Sequence, residues 1–522
     1  MSAERLWLRA QQYIATGQIA AARISLESLL NREPQRTDAR MLLASTILSE
    51  GRVREAAAHA IIAARYLPDD AGAVSTVVHC LLKLGETVSA RDCLLGIDTG
   101  SIREGRSLTA LAHAWQALGD HPNALALMDR AKALGFDNPD FRYFRSLQLQ
   151  FNGRLAEARE ELEACLRLGP TYGRASLTLA RMHKQTRDSN HLDYIRRQLR
   201  TVAQGSEDHA SFEFAQFKEL EDLGDYDEAF TALERGNAVM YARAKHDISR
   251  ERALFDTLIR ATPAEFVNVP GADADGPMPI FVVGLPRSGT TLLDRILDNH
   301  SQVISTGERS EFPRQLRWAA DCHGHEMVDP ALIERLPGID FAELGRRYLE
   351  QTQWRARGHA FYVDKLPPNF MLIGMIHRAL PRAPILHLVR EPMDVCYSNY
   401  KAMFGDSYAY SYDSAALAAH YIQYRRLIRH WHATLPGRVL DVSYNDLVAD
   451  PETVATRVFE HCRLAREPGC ANLGRNKTAV DTLSSAQVRE GIHSRALGEW
   501  RRYERQLAPL RAELEALARA GQ

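Results

Sequence analysis

The stretch GLPRSGTT, which runs from Gly284 to Thr291, has the residue types and spacing of a loop that holds phosphate groups. Its two glycines stand five residues apart and a hydroxyl residue closes it, as in the nucleotide-binding pattern G-x-x-x-x-G-K-[ST]. The glycines allow the backbone to wrap closely around an anion, while Ser288 and Thr290 offer hydroxyl donors and Arg287 offers a positive charge. The motif therefore predicts an anion site built from backbone N–H groups at the start of a helix.

The loop differs from that of ATP- and GTP-hydrolysing proteins at one decisive position. Thr290 stands where those proteins have the lysine that holds the β- and γ-phosphates. No obvious acidic residue for Mg²⁺ ends a predicted strand, and the apolar run ILHLV is followed instead by Arg390. Arginines at two strand ends indicate an anion-rich ligand bound without a metal, which disfavours a kinase or an NTPase.

Two further groups of residues could carry metal or redox chemistry. The tract DCHGHE, Asp321 to Glu326, offers metal-ligand side chains, but a polar loop at a helix end is the interpretation we favour, so we expect no metal site. The seven cysteines are scattered, odd in number and without a C-x-x-C pair, which predicts reduced thiols.

Three short apolar runs predict the strands that position the loop. They are PIFVVG (279–284), APILHLV (383–389) and GRVLDVSY (437–444), and a helical stretch follows each of them. Strands that alternate with helices predict a parallel sheet with helices on both faces. The phosphate loop lies between the first strand and its helix, which makes the motif much more specific than its glycines alone.

The region before these strands contains a repeat of 34 residues. Glycine recurs at this step, and alanine follows each glycine by five residues; the glycines are Gly17, Gly51, Gly85, Gly119 and Gly153, and the alanines are Ala22, Ala56, Ala90, Ala124 and Ala158. The period predicts a pair of helices per repeat. Glycine would end the first helix in the left-handed conformation, and alanine would let the second helix approach its neighbour closely.

The later copies of the repeat are degenerate. Arg187 replaces the glycine of the sixth copy, and Gly224 restores it in the seventh. The segment 262–278 is rich in Pro, Gly, Asp and Ala and is predicted to be a linker. We therefore expect about seven helix pairs in residues 1–261, the linker 262–278 and a second domain in 279–522. Such arrays often bind extended peptides on their inner face, although a scaffold or dimerisation arm stays open.

The stretch PIFVVGLPRSGTTLLDRIL resembles the 5′-phosphosulfate loop of sulfotransferases, enzymes that use 3′-phosphoadenosine 5′-phosphosulfate (PAPS). Its P-R-S-G-T-T form is most similar to tyrosylprotein sulfotransferases and their bacterial relatives. The resemblance extends over roughly 279–503, and the preceding period resembles tetratricopeptide repeats (TPR), which bacterial proteins join to this domain. It implies an all-α TPR superhelix followed by an α/β P-loop-like sulfotransferase domain with a central parallel sheet.

The resemblance also implies roles for single residues. Within STGERSEF it makes Glu308 the general base that removes the proton of the acceptor hydroxyl. Within YVDKLPPN it places Lys365 at the bridging oxygen and the sulfonate, where negative charge grows. The stretch TLSSAQV implies that Ser484 lies at the leaving group, with Ser485 as the alternative. The implied catalytic set is Glu308, Lys365, Arg287 and Ser484.

The stretch LVREPMDVCYSNY is similar to the motif that grips the 3′-phosphate through an arginine and a serine. The implied donor-binding set is Pro286, Arg287, Ser288, Gly289, Thr290, Thr291, Arg390, Ser398, Tyr444, Ser484 and Arg489. Arg495 and Trp500 are also implied to close over the nucleotide, with packing in the core as the alternative for Trp500.

One departure from the family's protein-tyrosine branch concerns the acceptor. That branch has a second acid directly after the first, whereas this chain has Arg309 there, with Glu311 as the nearby substitute. The departure puts specificity for tyrosine in doubt. A peptide tyrosine, a saccharide, a lipid hydroxyl and a small phenol all remain open as acceptors.

Composition sets the remaining expectations. With 522 residues, 45% hydrophobic and 25% charged residues and a net charge of −1, the chain is typical of soluble globular proteins and carries no global sign of nucleic-acid binding. It has no apolar run long enough to span a membrane, so we expect a cytoplasmic protein. The expected ligands are PAPS, its product PAP and an acceptor peptide, protein or glycan held partly by the repeats. A homodimer and a non-catalytic TPR scaffold with a nucleotide-binding domain stay open.

Overall fold

The computed structural model describes residues 2–269, 271, 275–475 and 494–520. The N-terminal region is built of helices: α1 (Ala3–Ala15), α2 (Ile19–Leu30), α3 (Thr37–Ser49), α4 (Val53–Ala64), α5 (Ala71–Leu84), α6 (Thr87–Gly96), α7 (Gly105–Ala117), α8 (His121–Ala133), α9 (Pro139–Phe151), α10 (Leu155–Leu168), α11 (Gly173–Arg181), α12 (Leu192–Leu199), α13 (Glu207–Leu223), α14 (Tyr226–Ala244), α15 (Ile248–Ala261) and α16 (Ala264–Val267).

The repeat glycines and alanines have the conformations that a helix-pair repeat requires. The turn glycines have φ between +72° and +87°, the left-handed region in which a side chain is strained; they are Gly17, Gly51, Gly85, Gly119, Gly153 and Gly224. The alanines that follow them by five residues are completely buried; they are Ala22, Ala56, Ala90, Ala124, Ala158 and Ala229. The repeat array is thus a solenoid of helix pairs, as predicted.

The C-terminal region is an α/β domain. Its strands are β1 (Met278–Gly284), β2 (Val303–Ser305), β3 (Phe361–Lys365), β4 (Ile385–Val389) and β5 (Val439–Ser443). Its helices are α17 (Thr290–Asp298), α18 (Glu311–Ala319), α19 (Pro330–Arg335), α20 (Phe341–Thr352), α21 (Ile373–Ala379), α22 (Pro392–Tyr400), α23 (Ser414–Thr434), α24 (Tyr444–Ala449), α25 (Pro451–His461) and α26 (Ala508–Ala520).

The five strands form one parallel sheet in the order β2-β3-β1-β4-β5. Alternate residues of β1 face opposite sides, as the twofold repeat of a strand dictates. Ile280 and Val282 pack with α17 and α25, whereas Phe281 packs edge-on against Phe312 of α18, with ring centroids 5.8 Å apart. Helices cover both faces, which confirms the predicted fold class.

The turns of the repeat array lie directly against the α/β domain. Arg54 of the second repeat donates its backbone N–H to Asp321 at 2.9 Å. In the third repeat, the Gly85 carbonyl accepts from Gln315 Nε2 at 2.6 Å, and the Thr87 hydroxyl donates to the Gln351 carbonyl at 2.5 Å. The second-repeat turn thus contacts the residues that follow α18, and the third-repeat turn contacts α18 and α20.

Helices α11–α15 share a hydrophobic core with the α/β domain. Phe255 of α15 stacks against Phe370, with ring centroids 6.5 Å apart. Within the segment 262–278, Thr262 is buried and its hydroxyl lies 3.1 Å from His430 Nε2. The domain boundary itself stays a prediction.

None of the helices that the structure describes has both the length and the apolar character needed to cross a membrane.

Candidate active site

At least one predicted site residue lies at the carboxyl end of each of the five parallel strands. Glu308 follows β2, Lys365 ends β3 and the loop 285–289 follows β1, while Arg390 follows β4 and Tyr444 follows β5. In open α/β sheets ligands bind at this edge, where the strand order reverses. The sheet order places Glu308 and Lys365 on one side of the loop and Arg390 and Tyr444 on the other side.

The phosphate loop has a backbone that ordinary residues adopt with difficulty. Gly284 has φ +150° and Gly289 has φ +109°, and Arg287 has φ +65° without being glycine. A Cβ atom at Gly289 would lie 2.3 Å from Cδ2 of Tyr444. Only glycine therefore leaves room for the Tyr444 ring beside the loop.

Two side chains from the β4–α22 region hold this loop in place. Asn399 Nδ2 donates to the Pro286 carbonyl at 2.7 Å, and Arg390 Nη1 donates to the Arg287 carbonyl at 3.0 Å. The Arg390 guanidinium also lies over the Tyr444 ring, 4.7 Å from its centroid. The sequence pointed to Arg390 and Tyr444 but not to Asn399, although Asn399 directly follows Ser398 in the same motif.

The site concentrates positive charge. Burial first, and the neighbouring Arg390 guanidinium second, lower the pKa of Arg287 to about 10, while the Glu499 and Glu308 carboxylates act in the opposite direction. Burial and Arg287 likewise lower the pKa of Arg181, the last residue of α11, to about 10. The guanidiniums of Arg287 and Arg181 therefore stay protonated at neutral pH. The sequence motifs did not point to Arg181, because it lies in the repeat array and not in the α/β domain.

Glu308 and Lys365 form an ion pair, with Nζ donating to Oε1 at 3.0 Å. The Lys365 side chain is 1% exposed, whereas that of Glu308 is 38% exposed. The turn before Glu308 is held to the sheet, since the Thr306 hydroxyl donates to the Val363 carbonyl at 2.7 Å and Lys365 N donates to the Gly307 carbonyl at 3.4 Å. A carboxylate open to the surface thus meets a buried ammonium.

Two buried acids flank Lys365. Burial raises the pKa of Asp294 in α17 to about 6, although the nearby Lys365 charge opposes the rise. Burial also raises the pKa of Asp364, the residue before Lys365, to about 7, with a hydrogen bond from Tyr348 acting against it. The Tyr348 hydroxyl donates to Asp364 Oδ2 at 2.7 Å. These acids are sealed in the core, so Glu308 is the carboxylate that an acceptor can reach.

Glu311 is buried and forms an ion pair with Arg355. Its side chain is 3% exposed and accepts from Arg355 Nη2 at 2.7 Å. Burial works to raise the pKa of Glu311, but the charges of Arg355, Arg309 and Arg314 together outweigh it, so the pKa is lowered. This buried ion pair makes Glu311 unsuited to replace the second acid of the protein-tyrosine branch.

The segment after residue 494 returns to the site. Arg390 Nη2 donates to the Ala496 carbonyl at 2.5 Å, and Gly498 N donates to Asp394 at 2.8 Å. Trp500 is 7% exposed and belongs to the hydrophobic core, which favours the packing alternative for it. Arg495 is exposed. Ser484, Ser485 and Arg489 lie outside the described residues.

The remaining loop residues fit an anionic ligand. Ser288 is 1% exposed, and its Oγ has no hydrogen-bond partner among the described residues. Nε of Arg390 is also buried and has no hydrogen-bond partner among the described residues. Thr290 and Thr291 open α17, where backbone N–H groups and the helix dipole favour negative charge, and Ser398 lies buried in α22. Buried donors of this kind are suited to phosphate and sulfonate oxygens.

A different cluster has metal-ligand side chains. Across the described ranges, His387, His432 and Asp441 form the only group of three such residues. His387 Nδ1 lies 2.7 Å and His432 Nε2 3.0 Å from the same oxygen of Asp441. Both imidazoles therefore already contact the carboxylate directly. The cluster lies along β4 and β5, apart from the strand ends that carry the site.

Comparisons with known proteins match the α/β domain to a known family. Residues 279–468 match the model of the sulfotransferase family. An uncharacterized protein of Aquifex aeolicus is 30% identical over 366 residues, which are 69% of this chain and 48% of that protein. A putative protein-tyrosine sulfotransferase of Caenorhabditis briggsae is 24% identical over 230 residues, 42% of this chain and 80% of that protein.

A third relative is a protein that contains TPR repeats. A TPR repeat-containing thioredoxin of Arabidopsis thaliana is 42% identical over 65 residues, which are 12% of this chain and 10% of that protein. The chain spans about half the length of its Aquifex relative.

Proposed function

We propose that this chain, whose residues 279–468 form a sulfotransferase-family domain, transfers a sulfonate group from PAPS to a hydroxyl group of a peptide or protein. The observation that carries the proposal is the pair formed by Glu308 and Lys365, 3.0 Å apart beside the phosphate loop. Sulfonate transfer to a hydroxyl needs a base for the leaving proton and a cation for the growing negative charge. This pair supplies the base and the cation at the carboxyl ends of two neighbouring strands, β2 and β3.

Different residues of the chain would bind the two ends of the donor. The loop from Pro286 to Thr291 would hold the 5′-phosphosulfate through backbone N–H groups, hydroxyls and Arg287. Arg390 and Ser398 would hold the 3′-phosphate, with the Tyr444 ring beside them. The two ends of the donor thus match the two sides of the loop, in the order in which the sheet presents β3, β1 and β4. Ser484 and Arg489 stay predictions from the resemblance.

The donor, when bound, supplies an activated sulfonate whose bond to the bridging phosphate oxygen breaks as the acceptor oxygen bonds to sulfur. Glu308 accepts the proton of the acceptor hydroxyl, and its exposed carboxylate is open to that substrate. Lys365 is held by the sheet at a fixed place, and its ammonium stabilises negative charge on the bridging oxygen. Breaking the ion pair with Glu308 would free the ammonium for that oxygen.

The inner face of the array supports a peptide as the acceptor. A groove of about 1080 Å³ runs along α1, α3 and α5 and is mostly apolar, with Trp7, Met41, Leu42, Tyr66 and Val77 among its lining residues. An extended segment fits the inner face of such an array. We propose that the groove recruits an acceptor protein whose hydroxyl side chain, tyrosine included, then reaches Glu308.

Transfer of label tests the proposal. The full chain is incubated with sulfur-labelled PAPS and with separate panels of peptides, glycans and cell extract. We expect label on peptides or proteins, and loss of that label when Trp7 and Met41 are both changed to Glu if the groove recruits them. Label on glycans alone would contradict the peptide acceptor. No label on any acceptor would contradict the enzyme and leave the non-catalytic scaffold.

A further inference from the structure

Arg309, the residue directly after the proposed base, lies against the turn of the fourth repeat. A Cβ atom built on Gly119 would lie 2.1 Å from Arg309 Nη2, 2.4 Å from Cζ and 2.7 Å from Nη1. The guanidinium therefore occupies the space above a glycine that has no side chain. The position at which this chain departs from the protein-tyrosine branch is thus the position that contacts the repeat array.

Arg309 also contacts the turn that carries Glu308. Its Nε donates to the Thr306 carbonyl, and the Thr306 hydroxyl donates in turn to Val363 of β3 at 2.7 Å. Glu308 lies between Thr306 and Arg309 in the chain. One side chain therefore joins the fourth repeat to the backbone on either side of the proposed base.

A second arginine, Arg355, donates a hydrogen bond to the same turn. Arg355 Nη1 donates to the Leu118 carbonyl at 2.6 Å, and its Nη2 donates to Glu311 at 2.7 Å. The Arg355 and Glu311 side chains are 7% and 3% exposed. Because Glu311 begins α18, this buried chain of contacts ties the Leu118–Gly119 turn to the helix that follows Glu308.

The first repeat lacks such a contact, although the turn of the third repeat has one, since a Cβ atom at Gly85 would lie 2.6 Å from Gln315 Nε2. Gly17 has φ +72° and Gly119 has φ +80°, so both positions strain a side chain equally through the backbone. A Cβ atom at Gly17 would meet nothing within 4 Å, whereas at Gly119 it would meet the Arg309 guanidinium. Gly119 is thus required by the 34-residue repeat and, separately, by the contact with Arg309.

We infer that Arg309 is a positioning residue through which the repeat array sets the place of Glu308. The inference rests on the proposed function, since it assigns Glu308 the role of base. The array then has a task beyond acceptor recruitment: its fourth turn completes the support of the base. A base displaced by about 1 Å can lose roughly a hundredfold in rate without losing its chemistry.

A double-mutant cycle on kcat tests this inference. The variants are Gly119→Ala, Arg309→Ala and the double variant, with Gly17→Ala as the control for backbone strain alone. We expect kcat to fall about 10- to 100-fold in Gly119→Ala and in Arg309→Ala, and the double variant to match Arg309→Ala. The affinity for PAP and the rate of Gly17→Ala should stay at the wild-type values.

Two outcomes would overturn the inference. One is wild-type kcat in Arg309→Ala, and the other is an equal fall in Gly17→Ala and Gly119→Ala, which would reduce the effect to strain in the array. Arg309→Lys separates charge from shape, because a lysine keeps the charge but cannot span Thr306 and Gly119; we expect it to restore less than half of the lost kcat.

Amide hydrogen exchange measures the coupling between the fourth repeat and the segment around Glu308 without requiring turnover. We expect faster exchange at residues 306–311 in Arg309→Ala and Gly119→Ala, and wild-type exchange there in Gly17→Ala. Unchanged exchange in all three variants would overturn the inference. If the wild-type protein transfers no sulfonate, the proposed function fails while this measurement still decides whether Arg309 couples the two regions.

Discussion

At the scale of single residues, the site keeps charges in places where burial opposes them. Lys365 is 1% exposed, and the carboxylates of Glu308 and Asp294 lie near it. Arg287 and Arg390 repel each other across the phosphate loop. Such charges are retained where a ligand or a reaction uses them, and an anion placed between the two arginines would relieve their repulsion.

Replacing Lys365 tests the role of the buried ammonium. In Lys365→Ala we expect kcat to fall about 100- to 1000-fold, because the ammonium that stabilises charge on the bridging oxygen is then lost. The affinity for PAP, measured by calorimetry, should change little, since the 3′-phosphate is assigned to Arg390. A fall in PAP affinity with an unchanged kcat would contradict the assignment.

Asp364 makes stability depend on pH. Its folded pKa of about 7 lies above the ordinary value of 3.8, so between these pH values the folded state holds a proton that the unfolded state has lost. Stability then falls as pH rises, by about 1.4 kcal/mol per pH unit, and levels off above about pH 7. We expect Asp364→Asn to fall less steeply than the wild type in melting temperatures at pH 5, 6, 7 and 8, because only Asp294, with its pKa of about 6, still loses a proton that the fold retains. Parallel curves for the two proteins would contradict it.

At the scale of elements, sequence patterns predicted the strands that are long and apolar. Three runs indicated β1, β4 and β5, and the phosphate motif indicated the turn into α17. The strand β2 has only three residues, Val303–Ser305, too few for periodicity to show. Contacts between distant segments, such as Asn399 with Pro286 or Arg309 with Gly119, depend on the packing of helices and left no local pattern.

Asn399 tests how the phosphate loop is held. Its Nδ2 donates to the Val395 carbonyl at 2.8 Å and to the Pro286 carbonyl at 2.7 Å. In Asn399→Ala we expect PAP to bind about tenfold more weakly, because the loop loses a buried hydrogen bond. Asn152→Ala is the matched control: Asn152 contacts the Gln148 and His121 carbonyls in the same way within the array. Equal losses of PAP affinity in both variants would contradict a specific role.

At the scale of the whole molecule, the array and the α/β domain are joined along two surfaces. The turns of the second and third repeats contact α18 and α20, and the turn of the fourth repeat contacts Arg309 and Arg355. In addition, α11–α15 share a core with the domain. The 34-residue period predicted the solenoid, and the fold class is confirmed. The period could not predict the docking, because its glycines are alike in sequence and differ only in what faces them.

Ligand stabilisation separates the donor site from an NTP site. We expect PAP at a hundred times its Kd to stabilise the folded chain by about 2.7 kcal/mol, visible as a higher melting temperature. Mg·ATP should give no such shift, since the loop has threonine at the lysine position. Stabilisation by Mg·ATP but not by PAP would contradict the nucleotide assignment.

The most direct test of the central claim is the rate of label transfer from PAPS in Glu308→Gln. Glutamine keeps the size of the side chain but cannot accept the proton, so kcat should fall at least about 100-fold while PAP binds as in the wild type. Glu334→Gln, a change of an exposed acid, is the control and should keep the wild-type rate. Transfer by Glu308→Gln at the wild-type rate would contradict the account.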